Sequence, residues 1–420
     1  MVSPDETGAV QPGEEVPFGV EELFYSRTDR RGLILAGNPV FRRVAGYGWA
    51  QLIGAPHRIV RHPVTPKAVF RILWQTLQQD EPAVAYVCNR AADGRPYWVL
   101  ATILPFSDTH LSVRIKPTSG LLAKVKDLYA QLSQAERDGL GIDASVDRLL
   151  ATLREAGFPD HRAFMRHALA QETSARAAAL NARTTMEEVG RIRKGLSDVI
   201  AEQEALVGDF ERLRILPTNM RILASRLEPT GGPVGAISDI YLTISADIFS
   251  KVGAFSRGDA SLCQRMSASF EKAMFLMTCA QLQAEVAGTA RPEDMAGSGI
   301  DCAAEVACLG RLGSSYRALA AHAMEDAMTL AAKIAEASVD LKRAMLSLET
   351  ITVMGRVESA RIGAEGMRIN ATINQLHEGN LVISRLLGVI TELSGTINSG
   401  MRSLRGTYLS DLNDRSAPQG

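Results

Sequence analysis

The run His-Arg-Ile-Val-Arg-His-Pro-Val-Thr-Pro-Lys-Ala-Val-Phe-Arg-Ile-Leu-Trp-Gln-Thr-Leu, residues 57–77, decides how the rest of the chain is read. It joins a basic cluster, Arg61-His62-Pro63, to Pro66-Lys67 and then to a helical stretch carrying Trp74. A basic cluster, two prolines and a Trp with the look of a buried residue fit a small ligand-bearing module better than plain core.

Outward from this run, residues 20–117 alternate short apolar strands with Gly and Asp turns. Phe24 to Thr28 reads as a strand, Asp29-Arg30-Arg31-Gly32 as its turn and Leu33 to Ala36 as the next strand. Asn38-Pro39-Val40-Phe41 opens a helix, with Asn as N-cap and Pro in the first turn, and Gly46-Tyr47 ends it. Ala85 to Arg90, the turn Ala92-Asp93-Gly94-Arg95 and Tyr97 to Thr102 make a hairpin. Leu111 to Ile115 is a last strand. Two strands, helices and three strands predict a compact module built on an antiparallel sheet.

This module resembles a PAS domain, and in particular the PAS domain of bacterial aerotaxis receptors. The matching residues are Asn38-Pro39-Val40-Phe41, Gly46-Tyr47, Leu52-Ile53-Gly54, Pro56-His57, Val60-Arg61-His62-Pro63, Pro66-Lys67-Ala68, Phe70, Trp74, Asn89-Arg90, Asp93-Gly94 and Tyr97-Trp98-Val99. The resemblance implies a non-covalently bound FAD whose redox state reports oxygen or electron flow. A flavin needs flat apolar walls and a few polar atoms at its ring edge. The resemblance assigns a wall to Trp74, ring contacts to Asn38 and Asn89, and diphosphate contacts to Arg61 and His62, and it places Trp98 in the same cofactor-binding set. Each has a plainer reading: Trp74 as core, Asn38 as an N-cap, Arg61 as a surface ion-pair partner. One position departs from the family. Val64 stands where an Asp usually follows His-Pro, and an apolar residue can neither accept a hydrogen bond nor hold Arg61. Haem is the rival cofactor, with His57, His62 and His110 as candidate ligands. A cofactor-free scaffold is the third reading.

Residues 118–420 have a helical composition, rich in Ala, Leu, Arg, Glu and Gln. Val189, Ile192, Leu196, Val199, Gln203, Leu206, Phe210 and Leu213 step by threes and fours, an a/d seam. Ile383, Leu386, Ile390, Leu393, Ile397 and Leu404 form a second, with Gly400 in one gap. Such seams suit either a homodimer or an ordinary helical bundle. Pro217 to Glu228, followed by Pro229 and Gly231-Gly232, resembles a degraded hairpin tip of methyl-accepting chemotaxis protein signalling domains. Val353 to Ile362, with Glu358 and Arg361, is a similar echo. The resemblance implies a chemotaxis histidine kinase and its coupling protein as partners. The expected organisation is a tail at 1–19, a PAS domain at 20–117, a helical linker at 118–182, a helical signalling bundle at 183–408 and a tail at 409–420. The fold class is α+β, with the PAS sheet followed by an all-α region. The Ala- and Met-rich residues 256–345 are expected to complete the bundle.

Composition excludes several classes. Lys plus Arg is 46 against 47 Asp plus Glu, so no general nucleic-acid binder is expected. No stretch reaches roughly 18 uninterrupted apolar residues, so no membrane span is expected. The acidic, apolar-poor start is no secretion signal. Five scattered cysteines without a C-x-x-C pair fit a reducing cytoplasm, and Cys302 and Cys308 have the wrong spacing for a zinc knuckle. His161 and His167 do not share a helix face as a metal pair would. No Walker loop, G-x-S-x-G or H-E-x-x-H motif points to an enzyme.

Overall fold

A computed structural model describes residues 14–181, 186–226, 232–252, 255, 261–289, 299–362 and 367–416. Strands β1 Phe24–Asp29, β2 Ile34–Gly37, β3 Ala83–Arg90, β4 Pro96–Phe106 and β5 Thr109–Ile115 form one sheet in the order β2-β1-β5-β4-β3. Every neighbouring pair is antiparallel. The first strand therefore lies beside the last. Phe24 faces Arg114, Ser26 faces Ser112 and Thr28 faces His110. Because side chains alternate along a strand, these residues share one sheet face with Ala101, Ile103, Val87 and Asn89. Tyr25, Tyr86, Trp98, Leu111 and Val113 share the other.

The first face is crossed by α1 Pro39–Ala45, α2 Trp49–Leu52, a 3-10 turn at His57–Val60 and α3 Lys67–Gln78. Asn38 starts α1 as expected: its Oδ1 accepts from the Phe41 N–H at 3.1 Å. Gly46 ends it with a left-handed φ of 72°, and its N–H returns to the Arg42 carbonyl at 3.0 Å.

The second face is covered by α4 Leu121–Arg137 and α6 His161–Ala179, and α5 Ile142–Glu155 packs beside α3. Trp98 meets Tyr129 of α4 with ring centroids 6.1 Å apart. The range 118–182, expected as a linker, thus holds, in its described residues 118–181, two helices folded onto the sheet, α4 and α6, with α5 beside α3. The reason is the aromatic second face, which a free linker would leave wet. Residues 14–19, expected in a tail, are also folded. The Val16 N–H donates to the Pro96 carbonyl at 3.0 Å, and Phe18 meets Phe24 edge-on at 5.5 Å.

Contacts group residues 1–184, 274–320 and 410–420 into one unit, and 185–273 and 321–409 into another. The middle segment joins the first unit through specific bonds. Arg27 pairs with Glu305 at 2.6 Å, Arg176 with Glu285 at 2.8 Å, and the Tyr316 hydroxyl donates to the Pro105 carbonyl at 3.1 Å. Residues 274–320 therefore belong with the sheet, not wholly with the bundle.

The second unit is helical: α7 Met186–Leu213, α8 Leu216–Ser225, α9 Gly232–Val252 and the parts of α10 Leu262–Thr289, α11 Cys302–Arg361 and α12 Met367–Ser416 that fall within its bounds. The first seam is buried inside this unit from Val189 to Phe210, and Leu213 at its end is half-buried. Ile192 lies against Gly400, Ile397 against Gly195 and Leu213 against Gly379, while Phe210 meets Phe249 edge-on. In the second seam Ile383, Leu386, Ile390, Ile397 and Leu404 are buried, and Ser394 rather than Leu393 takes the interior position. Among the described residues, helices of the same chain cover both seams, as in an ordinary bundle. α12 runs to Ser416 instead of fraying at 409. Its stretch Met367–Tyr408 is long and apolar enough, by length and composition alone, to cross a membrane. Thr218, Asn219, Leu223 and Ala224 of the expected hairpin tip lie on α8, whereas Glu228 to Gly231 fall outside the described residues. Glu358 and Arg361 pair at 2.7 Å along α11.

Candidate functional site

A cavity of about 300 Å³ lies between the first sheet face, the 3-10 turn and α3. That is at the lower end of the roughly 300–1,000 Å³ typical of small-molecule sites. Phe70, Leu73, Trp74 and Leu77 of α3 make one apolar wall, and Val87, Ala101 and Ile103 of the sheet make the other. Spacings of three and four residues bring the α3 side chains to one face of that helix.

Polar groups converge between these walls. Arg114 of β5 is only 2% exposed. Its Nη2 donates to Ser26 Oγ at 2.8 Å and lies 2.6 Å from His57 Nε2. Burial lowers the Arg114 pKa to about 10. Burial, and then the Arg114 charge, push His57 down to about 3. His57 is therefore neutral near pH 7, and as acceptor at Nε2 it carries its proton on Nδ1. His110 also lines the cavity, and its buried Nδ1 has no hydrogen-bond partner among the described residues. Burial lowers its pKa too.

Three of the expected cofactor residues meet here. Arg61 lines the cavity with its guanidinium 3.6 Å from the Phe70 ring centroid. This cation–π contact does the holding that Val64 cannot. Asn89 lines the cavity, and no hydrogen bond of its side-chain amide is seen among the described residues. Trp74 lines it as well but is 38% exposed, so it is a rim residue and not the buried one the sequence suggests. Its indole rests on Gly32 and meets His110 edge-on at 6.0 Å. Gly32 has φ 82°, and a Cβ there would touch the indole at 3.4 Å.

The other three lie elsewhere. Asn38 is buried with its amide engaged at both ends, accepting from Tyr25 and Phe41 N–H and donating to the Leu23 carbonyl at 2.9 Å. His62 uses Nδ1 to accept the Val64 N–H at 3.2 Å. Trp98 is on the opposite sheet face. Of the candidate iron ligands, His57 and His110 line the cavity and His62 does not.

Sequence reasoning missed Arg114, Ser112 and Ser26. A signal existed, since Leu111-Ser112-Val113-Arg114-Ile115 alternates and puts Ser112 and Arg114 on one face. Alternation normally sends such residues to water; here both faces of β5 are covered.

The far side of the sheet carries a second polar cluster. Glu172 of α6 is completely buried. It accepts from the Tyr86 hydroxyl at 2.7 Å, the Thr118 N–H at 2.7 Å, the Ser119 N–H at 2.8 Å and the Ser119 hydroxyl at 2.7 Å. One carboxylate thus ties β3 to the segment where β5 becomes α4. Burial and the Glu172 hydrogen bond raise the Tyr86 pKa, so the phenol stays protonated and donates.

Residues 34–115 match the PAS fold family. The chain is 35% identical over 125 residues to the aerotaxis receptor of Escherichia coli (strain K12), covering 29% of this chain and 25% of that protein. It is 39% identical over 80 residues to the nitrogen fixation regulatory protein of Klebsiella pneumoniae, covering 19% of this chain and 16% of that protein. It thus spans about a quarter or less of the length of these curated relatives. Among solved structures, the light state of the Aureochrome1 LOV blue-light photoreceptor aligns with a TM-score of 0.23 and 20% identity, over 24% of this chain and 87% of that one. The sheet and the helices on its first face are a PAS domain.

Proposed function

We propose that this protein is a signal-transduction sensor whose PAS cavity holds a flavin and whose helices relay the flavin's state to a partner protein. The observation that carries the reading is the apolar slot lined by Arg61, Asn89 and His110. These residues fit the group. Phe70 and Trp74 offer flat walls, Asn89 offers a donor and an acceptor, and Arg61 offers a fork suited to phosphate. A bound flavin supplies a change of redox state and charge.

The chain's own residues supply the rest. His57 orients the Arg114 guanidinium, and the α3 side chains exclude water. β5 borders the cavity and runs into the Thr118–Ser119 segment held by Glu172. A relay requires that the two ligand states favour different arrangements of that joint. The helical unit is the candidate docking body for a histidine kinase or coupling protein.

A visible absorption spectrum of the purified protein, before and after dithionite, tests the reading. Flavin bands that bleach are expected; a colourless, folded protein that takes up no added FAD sinks it. The place of His110 on the cavity wall favours one alternative, haem, which a Soret band would reveal. His57 suits iron less well, because its Nε2 is already taken by Arg114.

A further inference from the structure

We propose that Arg114 is an anion receptor in the cavity, and that the ligand of this site turns a negatively charged edge toward it. The inference rests on the cavity being the ligand site, and it names the chemistry the ligand must bring.

Three observations lead there. The cavity is lined by four arginines, Arg31, Arg58, Arg61 and Arg114, and by no Asp or Glu. Arg114, the most buried of them, makes no ion pair among the described residues. Its protein partners are Ser26 Oγ, His57 Nε2 and, at 3.5 Å, the Ser112 carbonyl, all uncharged acceptors. A guanidinium has five N–H donors, so these contacts leave donor capacity over.

A buried charge without a countercharge is costly, and structures usually pair it. Here the rings of Phe24 and Phe41, 5.8 and 5.3 Å from the guanidinium, soften that cost without cancelling it. An anion entering the cavity would cancel it. His57 is neutral, so it adds no second charge, and its Nε2 fixes the direction of the guanidinium. Leu73, Leu77 and Ile103 line the same cavity, so the anion must be the edge of a flat apolar body rather than a bare ion.

The test uses the full chain and two probes of similar size, benzoate and neutral benzyl alcohol. Unfolding is followed by tryptophan fluorescence, since Trp49, Trp74 and Trp98 all lie in the sheet unit. In protein free of flavin, benzoate should raise the unfolding midpoint with concentration and benzyl alcohol should not. Arg114→Met, of similar length and no charge, should weaken benzoate binding about ten- to a hundredfold, the range for a charge-assisted hydrogen bond. Arg114→Lys should restore part of it.

In protein that carries flavin as purified, Arg114→Met should shift the reduction equilibrium toward the oxidised form at least tenfold, about 30 mV for a two-electron couple. Equal stabilisation by benzoate and benzyl alcohol in flavin-free wild type would overturn the proposal. So would an Arg114→Met protein that circular dichroism shows to be folded and that keeps benzoate affinity or, when flavin-bound, an unchanged potential. A flat visible spectrum removes the flavin reading alone and leaves the benzoate comparison to decide this one. Should Arg114→Met fail to fold, the two probes on wild type still decide it.

Discussion

Replacing Glu172 with alanine should loosen the sheet from the segment that follows it. Four donors now converge on this buried carboxylate: the Tyr86 hydroxyl, two backbone N–H groups and the Ser119 hydroxyl. Alanine leaves all four without an acceptor, and the more open ones can turn to water. If Tyr86 and one backbone group stay dry, at about 1–3 kcal/mol each the loss is about 2–6 kcal/mol. Glutamine keeps the shape and one oxygen but turns an NH2 toward donors, so Glu172→Gln should fall between alanine and wild type. Tyr86→Phe, which removes one donor and leaves the acceptor with three, should cost only about 1 kcal/mol. Urea unfolding read by tryptophan fluorescence is the assay, because the three tryptophans all report on the sheet unit. The order alanine, glutamine, wild type in midpoint is expected. A Glu172→Ala midpoint within about 0.5 kcal/mol of wild type, the usual effect of a surface change, would refute the reasoning.

Three further outcomes follow from the same structure. Burial holds His57 at about 3 and His161 at about 4, both below the ordinary value. The unfolded chain then binds more protons than the folded one from roughly pH 6.5 down to about 3, so stability should be full above that window and fall as pH drops through it. His57→Gln should flatten the curve of urea midpoint against pH. Arg27→Ala leaves Glu305, with 1% of its side chain exposed, charged and unpaired. That should cost about 3–5 kcal/mol, and an Arg27→Met, Glu305→Leu pair should recover most of it in the same urea assay. Among the residues the sequence nominates, Trp74→Ala and Asn89→Ala should each weaken FAD binding about tenfold in a fluorescence titration. Asn38→Ala should leave FAD affinity unchanged but lower stability by about 1 kcal/mol or more, as loss of a helix cap does.

The elements of the PAS domain and their order were legible in the sequence. Strand alternation, the Asn38 cap, Gly46 at a helix end and the hairpin turn at 92–95 are local signals, and each acts over a few residues. The sequence also placed Arg61, Trp74 and Asn89 in one site, because that short run and one strand meet across the sheet. The rest depended on contacts between distant segments. Asn38 spends its amide on its own helix and two neighbouring backbone groups, and Trp98 falls on the wrong face by strand parity. Arg114 looks like a solvent-facing residue until the helices crossing the sheet's first face close over it. Glu172 meets its partners from more than fifty residues away. Both heptad seams advertise a partner helix, and spacing cannot say whether that helix comes from the same chain. Local conformation is written in neighbouring residues; which side of a strand or helix is dry depends on segments that arrive later in the chain.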